Sequence, residues 1–291
     1  MKFEDLLQQR KIAFFDGGMG SLLASRGCDT SGVSNLKNPA AVLEIHRDYS
    51  EAGADVLITN TFTMNRINIE TTGLEVDVEE VNQAGVSLAR RAAGAGKLVF
   101  GDVGPTGQLL EPYGTYTQEQ FYDNYAEQAE ILAVENVDGL IIETFTDLRE
   151  AECALKACRD KTDLPLVLSL AYTTTQKGGR TIMGNSVEEA AALAEKYSAA
   201  AVGANCGDLD PAGMAVITAL YRQATSLPLI IQPNAGKPKL LGSETRYDME
   251  PEEYARGVMK CFENGASIIG GCCGTTPAHI AAVAKALEGY I

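Results

Sequence analysis

The sequence lacks the long apolar segments and the basic charge that would indicate a membrane or a nucleic acid as its partner. No run of 18 apolar residues occurs in the 291-residue chain, so no membrane-spanning helix is predicted. The formal net charge is −15 and is spread along the chain, which argues against binding to nucleic acid or anionic membranes. The N-terminus has no basic start followed by an apolar core, so we expect no secretory signal and a cytoplasmic protein.

Histidine is scarce, with two residues, whereas cysteine occurs seven times. An odd number of cysteines in a chain without an export signal favours reduced thiols, a metal site or catalysis over disulfide bonds. His46 and His279 fall in helical segments, where packing and capping are the expected roles. A hydrophobic content of 45% is sufficient for a large core, in one domain or two smaller ones.

Short apolar runs alternate with helical segments along the chain, and they have the continuous apolar character of strands buried on both faces of a parallel sheet. The predicted strands are 12–15, 55–59, 98–103, 139–142, 165–171, 200–205, 228–232 and 267–270. The predicted helices are 39–52, 78–95, 117–136, 147–160, 186–197, 210–224, 251–264 and 277–288. Eight such units fit either a closed (β/α)₈ barrel or an open doubly wound sheet.

Polar and thiol side chains at the carboxyl ends of the strands decide between these two folds. These residues are Asp16, Asn60, Asp102, Glu143, Cys206, Asn234 and Cys272. In a barrel the strand ends meet on one rim, where active sites are built, whereas an open sheet would scatter them along its edge. We therefore predict that residues 1–291 form a single-domain (β/α)₈ TIM barrel with its site at the C-terminal rim. Asn60 and Asp102 are expected to be hydrogen-bonding groups of the lumen rather than catalysts.

Three cysteines stand at the exits of two predicted strands, Cys206 after the sixth and Cys272 and Cys273 after the eighth. Adjacent residues of a regular strand point to opposite faces, but the flanking glycines permit backbone angles that could aim both sulfur atoms at one point. The arrangement predicts three thiolate ligands of one zinc ion, with a fourth position open for a substrate. The alternatives are buried inert thiols, or a vicinal disulfide of Cys272 and Cys273 in a thiol redox or metal-sensing protein.

Seven motifs, in the right order, resemble the homocysteine S-methyltransferase family over essentially the whole chain. They are Asp16-Gly17-Gly18-Met19-Gly20, Ala54-Asp55 with Thr59-Asn60-Thr61-Phe62, Gly101-Asp102-Val103-Gly104-Pro105-Thr106-Gly107, Glu143-Thr144-Phe145-Thr146-Asp147, Gly203-Ala204-Asn205-Cys206, Pro233-Asn234-Ala235-Gly236 and Gly270-Gly271-Cys272-Cys273-Gly274-Thr275-Thr276-Pro277. Within the family, the chain is most similar to the homocysteine-binding modules of cobalamin-dependent methionine synthases. The resemblance implies Zn²⁺ held by Cys206, Cys272 and Cys273, and methyl transfer to the thiol of homocysteine, giving methionine.

The resemblance also implies the methyl donor, a methylcorrinoid (methylcobalamin) on a separate corrinoid protein or cobalamin module. In the modular relatives, folate, cobalamin and reactivation modules follow the homocysteine-binding module, whereas this chain ends at Ile291. S-methylmethionine, S-adenosylmethionine and a betaine are alternative donors for the same acceptor. A chain that carries homocysteine for another subunit, without catalysing its methylation, is a further possibility.

Substrate contacts are expected from residues at the ends of three predicted strands. They are Asp16, Gly17, Gly18, Met19, Glu143 and Asn234. Glu143 would hold the ammonium group of homocysteine, or instead cap the next helix or pair with a cation. Residues 17–19 would offer backbone N–H groups to the substrate carboxylate, with Asp16 bracing that loop or contacting the amine, although Asp-Gly is also ordinary turn chemistry. Asn234 would cap its loop, or reach the zinc ion when no substrate is bound.

Overall fold

Eight parallel strands form the centre of the computed structural model, which describes residues 2–237, 239–241 and 244–290. The strands are β1 (Ala13–Phe14), β2 (Val56–Ile58), β3 (Leu98–Val103), β4 (Gly139–Phe145), β5 (Leu166–Leu170), β6 (Ala201–Asn205), β7 (Leu229–Gln232) and β8 (Ile268–Ile269). Each strand from β2 to β7 pairs with the next one in the chain, and β1 pairs with β8. A parallel bridge from Phe15 to Val56 joins β1 to β2, so the sheet comes round on itself. This confirms the predicted (β/α)₈ barrel.

Helices surround the barrel. They are α1 (Phe3–Gln9), α2 (Met19–Ser25), α3 (Ser34–Lys37), α4 (Pro39–Glu51), α5 (Arg66–Thr72), α6 (Val78–Ala93), α7 (Gln118–Val134), α8 (Leu148–Lys161), α9 (Val187–Lys196), α10 (Pro211–Ala224), α11 (Pro251–Glu263) and α12 (Pro277–Ala286). The eight predicted helices are confirmed to within two residues at each end. The sequence fixes several starts locally, because Thr117 and Gln120 form a capping box and proline opens α4, α10, α11 and α12. No helix in the described part of the chain is long and apolar enough to cross a membrane.

The N-terminal half of the lumen is an apolar core. Phe15, directly after β1, and Phe100 and Ile141, on β3 and β4, are fully buried in one apolar cluster. Helix α1 closes this end, because Phe3 and Leu6 pack into the same cluster, with the Phe3 ring centroid 4.9 Å from that of Phe100. This helix was not predicted. Its effect is to leave the opposite end of the barrel for a ligand.

The lumen becomes polar towards the C-terminal rim. Side chains alternate in direction along a strand, so residues an even number of positions beyond the apolar layer face the same interior. These residues are Asp102, Glu143, Ser169, Asn205 and Gln232. The rim therefore receives carboxyl, hydroxyl and amide groups from five neighbouring strands, in addition to the cysteines that follow β6 and β8.

Candidate metal centre and substrate pocket

The structure brings Cys206, Cys272 and Cys273 together at the rim. Their three sulfur atoms all lie within 4.8 Å of one another, and the Cys206 and Cys273 sulfur atoms are 3.8 Å apart. Cys206 reaches this position in the left-handed region, with φ 53°, a conformation that costs a non-glycine residue free energy. The other four cysteines lie outside the cluster, with Cys153, Cys158 and Cys261 buried in helices and Cys28 just beyond α2.

Glycine and threonine shape the turn that carries the adjacent cysteines. Gly274 has φ 77°, and a Cβ atom there would collide with the side chain of Tyr247. The Thr275 hydroxyl donates to the carbonyl oxygen of Cys272 over 2.7 Å and accepts the N–H of Gly18 over 2.9 Å. Gly274 therefore has the unusual backbone angle that the sequence predicts for this turn. Thr275 links the cysteine turn to the glycine turn after β1 through its two hydrogen bonds.

The thiols share charge unequally. Hydrogen bonds with Cys206 and Cys272 lower the pKa of the Cys273 thiol to about 3, against the opposing effect of burial, and the Tyr247 phenol adds a further hydrogen bond. Hydrogen bonds with Cys206 and Cys273, together with burial, raise the pKa of Cys272 well above its ordinary value. The cluster by itself therefore favours one thiolate beside protonated neighbours. Three converging sulfur donors fit the ligand set of a tetrahedral zinc site that keeps one position open, and a bound cation would favour their full ionisation.

Glu143 lies on the same rim as the thiols. The pairing of β4 with β5 shifts register between Ile142 and Phe145, and Thr144 adopts φ 65° within that irregularity. Bulges of this kind re-aim side chains next to active sites. The Glu143 Oε2 atom is buried without a hydrogen-bond partner. Burial, followed by the charge of Cys273, raises the pKa of Glu143 to about 8.

Asn205 holds this irregular segment in place. Its side-chain oxygen accepts the Thr144 N–H over 3.0 Å and the Ser169 hydroxyl over 2.7 Å, and its amide donates to the Thr144 hydroxyl over 2.7 Å. The same amide lies 3.8 Å from the Cys272 sulfur. Sequence reasoning missed this fully buried residue, although its place immediately before Cys206 was a signal.

The turn after β1 forms the opposite wall. Asp16 is buried, its carboxylate accepts the Ile58 N–H over 3.0 Å, and burial raises its pKa well above the ordinary value. Gly17, Gly18 and Met19, which are predicted to contact the substrate, line the pocket, but the Gly18 N–H already donates to the Thr275 hydroxyl. Among the described residues, the N–H groups of Gly17 and Met19 have no partner, so two donors rather than three are left for a ligand.

Asn234, which is predicted to contact the substrate, and the two histidines are not among the residues that line the pocket. The Asn234 amide donates to the Gly207 carbonyl over 3.0 Å, as a loop cap would, while its Oδ1 atom is buried and unpartnered. His279 completes the cap of α12 with Thr276, which agrees with the expected capping role. His46 is buried with its Nδ1 atom 3.9 Å from Asp16, and burial lowers its pKa to about 4. It therefore stays neutral near pH 7.

The thiols, the carboxyl groups and the glycine turn enclose one pocket of about 780 Å³, including its open mouth. Asp16, Asp102 and Glu143 all line it, and no lysine, arginine or histidine lines it within the part of the chain that the structure describes. A parallel (β/α)₈ barrel with a cysteine cluster that could hold zinc at the C-terminal rim defines the class of protein.

The chain belongs to the homocysteine S-methyltransferase family, whose profile matches residues 13–287. It is 30% identical to the methionine synthases of Mycobacterium tuberculosis and Mycobacterium leprae, over 97% of this chain and 25% of each relative. The chain thus spans about a quarter of the length of these curated relatives. The metallated form of the homocysteine methyltransferase MmuM from Escherichia coli superposes with a TM-score of 0.80 and 26% identity, covering 96% of this chain and 97% of that one.

Proposed function

We propose that this protein transfers a methyl group to the thiol of homocysteine, giving methionine, in a zinc-dependent reaction. The observation that carries the proposal is the convergence of the Cys206, Cys272 and Cys273 sulfur atoms at the rim of a barrel that belongs to this family. These three residues would hold the zinc ion. Bound there, zinc would lower the pKa of the homocysteine thiol, so that the nucleophilic thiolate is present near neutral pH.

The walls of the pocket would orient the amino-acid end of homocysteine. Glu143 would take the ammonium group, since its Oε2 atom is buried with no partner of its own. The N–H groups of Gly17 and Met19, at the start of α2, would bind the substrate carboxylate. Asp16, which already accepts the Ile58 N–H, would brace that turn or contact the amine. Holding the ammonium and carboxylate groups in this way would direct the sulfur atom, at the other end of the molecule, towards the cysteine cluster.

A methylcorrinoid such as methylcobalamin, on a separate protein or module, is the proposed methyl donor. The similarity to methionine synthases supports it, because this chain corresponds to a quarter of those proteins and the remaining length leaves room for further modules. A small onium donor such as S-methylmethionine, S-adenosylmethionine or a betaine is the second candidate. Two observations favour it. The match to MmuM covers nearly the whole of both chains, so that methyltransferase has little length for a corrinoid module beyond the barrel. The pocket is acidic and has no basic side chain among the described residues that line it, so it would attract a cationic donor.

A donor panel with homocysteine, with methionine as the readout, tests the proposal. Zinc-loaded protein should form methionine with at least one of methylcobalamin, S-methylmethionine, S-adenosylmethionine or a betaine, and the productive donor decides between the two candidates. Binding of homocysteine without turnover of any donor would favour the carrier alternative. Absence of both binding and turnover would refute the proposal.

Cysteine variants test the metal centre. Cys206→Ser, Cys272→Ser and Cys273→Ser should each lose most of the bound zinc, expected at about one ion per chain, and nearly all activity. Cys153→Ser is the matched control, because this thiol is buried in α8 away from the cluster. A rim variant that keeps full zinc and full rate would remove that residue from the ligand set. A disulfide between Cys272 and Cys273, found by thiol counting with and without reductant, would favour the redox alternative.

A further inference from the structure

Asp102 occupies a position in the pocket that the proposed chemistry leaves without a role. It lies on β3, two residues beyond the lumen residue Phe100, and pairs in register with Ile141 of β4. Its side chain faces the same interior as Glu143, which lies two residues beyond Ile141. Asp102 lines the pocket although it is 5% exposed, so its carboxyl group is buried at the wall of a cavity that opens to solvent.

One oxygen of the Asp102 carboxyl group is buried without a hydrogen-bond partner. Among the described residues, none donates to its Oδ1 atom. The expectation that Asp102 is a hydrogen-bonding group of the lumen therefore holds for its backbone, which contacts Thr59 and Thr61, and not for its side chain. Asn60, by contrast, donates to the Ser31 carbonyl and to the Asn35 side chain, as expected.

Keeping this carboxyl group costs the folded protein free energy. An acid buried without a donor loses its hydration and gains nothing in return. The charges of Glu143 and Asp16 add repulsion, and together with burial they raise the pKa of Asp102 well above the ordinary value. Among the described residues, no lysine, arginine or histidine lines the pocket to offset the three acids. A ligand that carries a positive charge would supply the missing partner.

We propose that Asp102 is a specificity-determining residue that shares the ammonium group of the amino-acid substrate with Glu143. The inference rests on the proposed function, because homocysteine supplies the cation. Glu143 and Asp102 face the lumen from adjacent strands, and each has a carboxyl oxygen that no described group satisfies. An ammonium group has three N–H donors, enough for both carboxylates and one further acceptor. Thiols without the ammonium group would leave the two acids unpaired and would be disfavoured.

The test measures binding by calorimetry to the zinc-loaded protein, with homocysteine and with 4-sulfanylbutanoate, which has the thiol and the carboxylate but no amine. Asp102→Asn keeps the shape and removes the charge. It should weaken homocysteine binding about tenfold or more and leave 4-sulfanylbutanoate binding unchanged or tighter. Asp102→Ser, which removes the carboxyl group altogether, should give the same pattern. In urea unfolding of the ligand-free protein, Asp102→Asn should be more stable than the parent, since an unpaired buried acid is lost.

Asp138→Asn is the matched control. Asp138 is at the amino end of β4, where it accepts the Val99 N–H over 2.7 Å and pairs with Arg90 over 2.6 Å. Its replacement should lower stability and leave both affinities as in the parent. Homocysteine binding to Asp102→Asn within twofold of the parent, or equal losses for both thiols, would overturn the inference. A parent protein that binds no homocysteine would instead refute the proposed function, and this inference with it.

Discussion

Replacing Asn205 by alanine tests whether one buried amide holds the substrate-binding wall. Asn205 is fully buried, and its oxygen accepts the N–H of Thr144 and the hydroxyl of Ser169. Alanine would leave both donors without a partner, and a buried unsatisfied group costs about 1–3 kcal/mol. The free energy of unfolding should therefore fall by about 2–4 kcal/mol, measured by equilibrium urea denaturation of the metal-free protein.

The same variant should weaken homocysteine binding, because Thr144 would no longer be held in its left-handed conformation. The position of the Glu143 carboxyl group depends on that conformation of Thr144, since the register shift of β4 begins directly before Glu143. Calorimetric affinity for homocysteine should fall at least tenfold, while 2-mercaptoethanol, which lacks the ammonium group, should bind as it does to the parent. The difference between the two thiols separates a misplaced Glu143 from a general loss of structure.

Asn264→Ala is the control for the loss of a single asparagine hydrogen bond. The Asn264 amide donates to the Ala215 carbonyl over 2.8 Å at the end of α11, away from the pocket. Its replacement should cost about 1 kcal/mol and leave homocysteine affinity unchanged. The reasoning would be refuted by a loss of stability below about 1 kcal/mol in Asn205→Ala. It would also be refuted by a large loss of stability accompanied by parent-like binding of homocysteine.

Three further predictions concern charge. Glu143→Gln should weaken homocysteine binding by about 2–3 kcal/mol while 2-mercaptoethanol is hardly affected, and equal losses for both thiols would mean a structural role. The effect of Glu143→Gln on the free energy of unfolding should depend on pH. The pKa of Glu143 is raised to about 8, so between about pH 4.5 and 8 the folded state keeps a proton that the unfolded state has lost. As the pH rises through this range, the contribution of Glu143 to the free energy of unfolding therefore falls by up to about 1.4 kcal/mol per pH unit. Glu143→Gln should therefore stabilise the metal-free protein more at pH 8 than at pH 5.5, and a gain independent of pH in urea unfolding would contradict the raised pKa. Homocysteine binding to the zinc-loaded protein should release close to one proton near neutral pH, measured by calorimetry in buffers of different ionisation enthalpy, and release near zero would contradict coordination of the thiolate.

The positions of the rim residues could be predicted from the sequence because, in a parallel barrel, the residues that directly follow the strands all lie on the same rim. A continuous apolar run marks each buried strand, and the residue that follows it must lie on one rim. Cys206 and Cys272 are 66 residues apart in the chain, yet both follow predicted strands, so their approach follows from the fold. The Gly-Gly-Cys-Cys-Gly pattern then indicated a turn, and Gly274 indeed adopts a positive φ.

The contacts that orient those residues could not be predicted in the same way. The Asn205 amide binds Thr144, which lies 61 positions away, and Thr144 adopts a conformation that its residue type disfavours. Tyr247 forms a hydrogen bond with Cys273 from the loop between β7 and α11, for which no strand was predicted. Helix α1 was missed because its seven residues are too few for a clear helical period. Such features depend on tertiary contacts, and local sequence patterns contain no record of them.

The distribution of charge shows why composition alone says so little about the site. The net charge of −15 is a sum over the whole chain, and most acidic residues lie at the surface, where they are hydrated and cost little free energy. Three acids inside the lumen are a different matter, because each loses its hydration and repels the others. Packing alone would favour an apolar or amide side chain at Asp102 and Glu143. A carboxyl group with an unpaired oxygen at both positions lowers the stability of the free protein but allows it to bind a cation. Asp102→Asn and Glu143→Gln should therefore each raise the free energy of unfolding and weaken homocysteine binding.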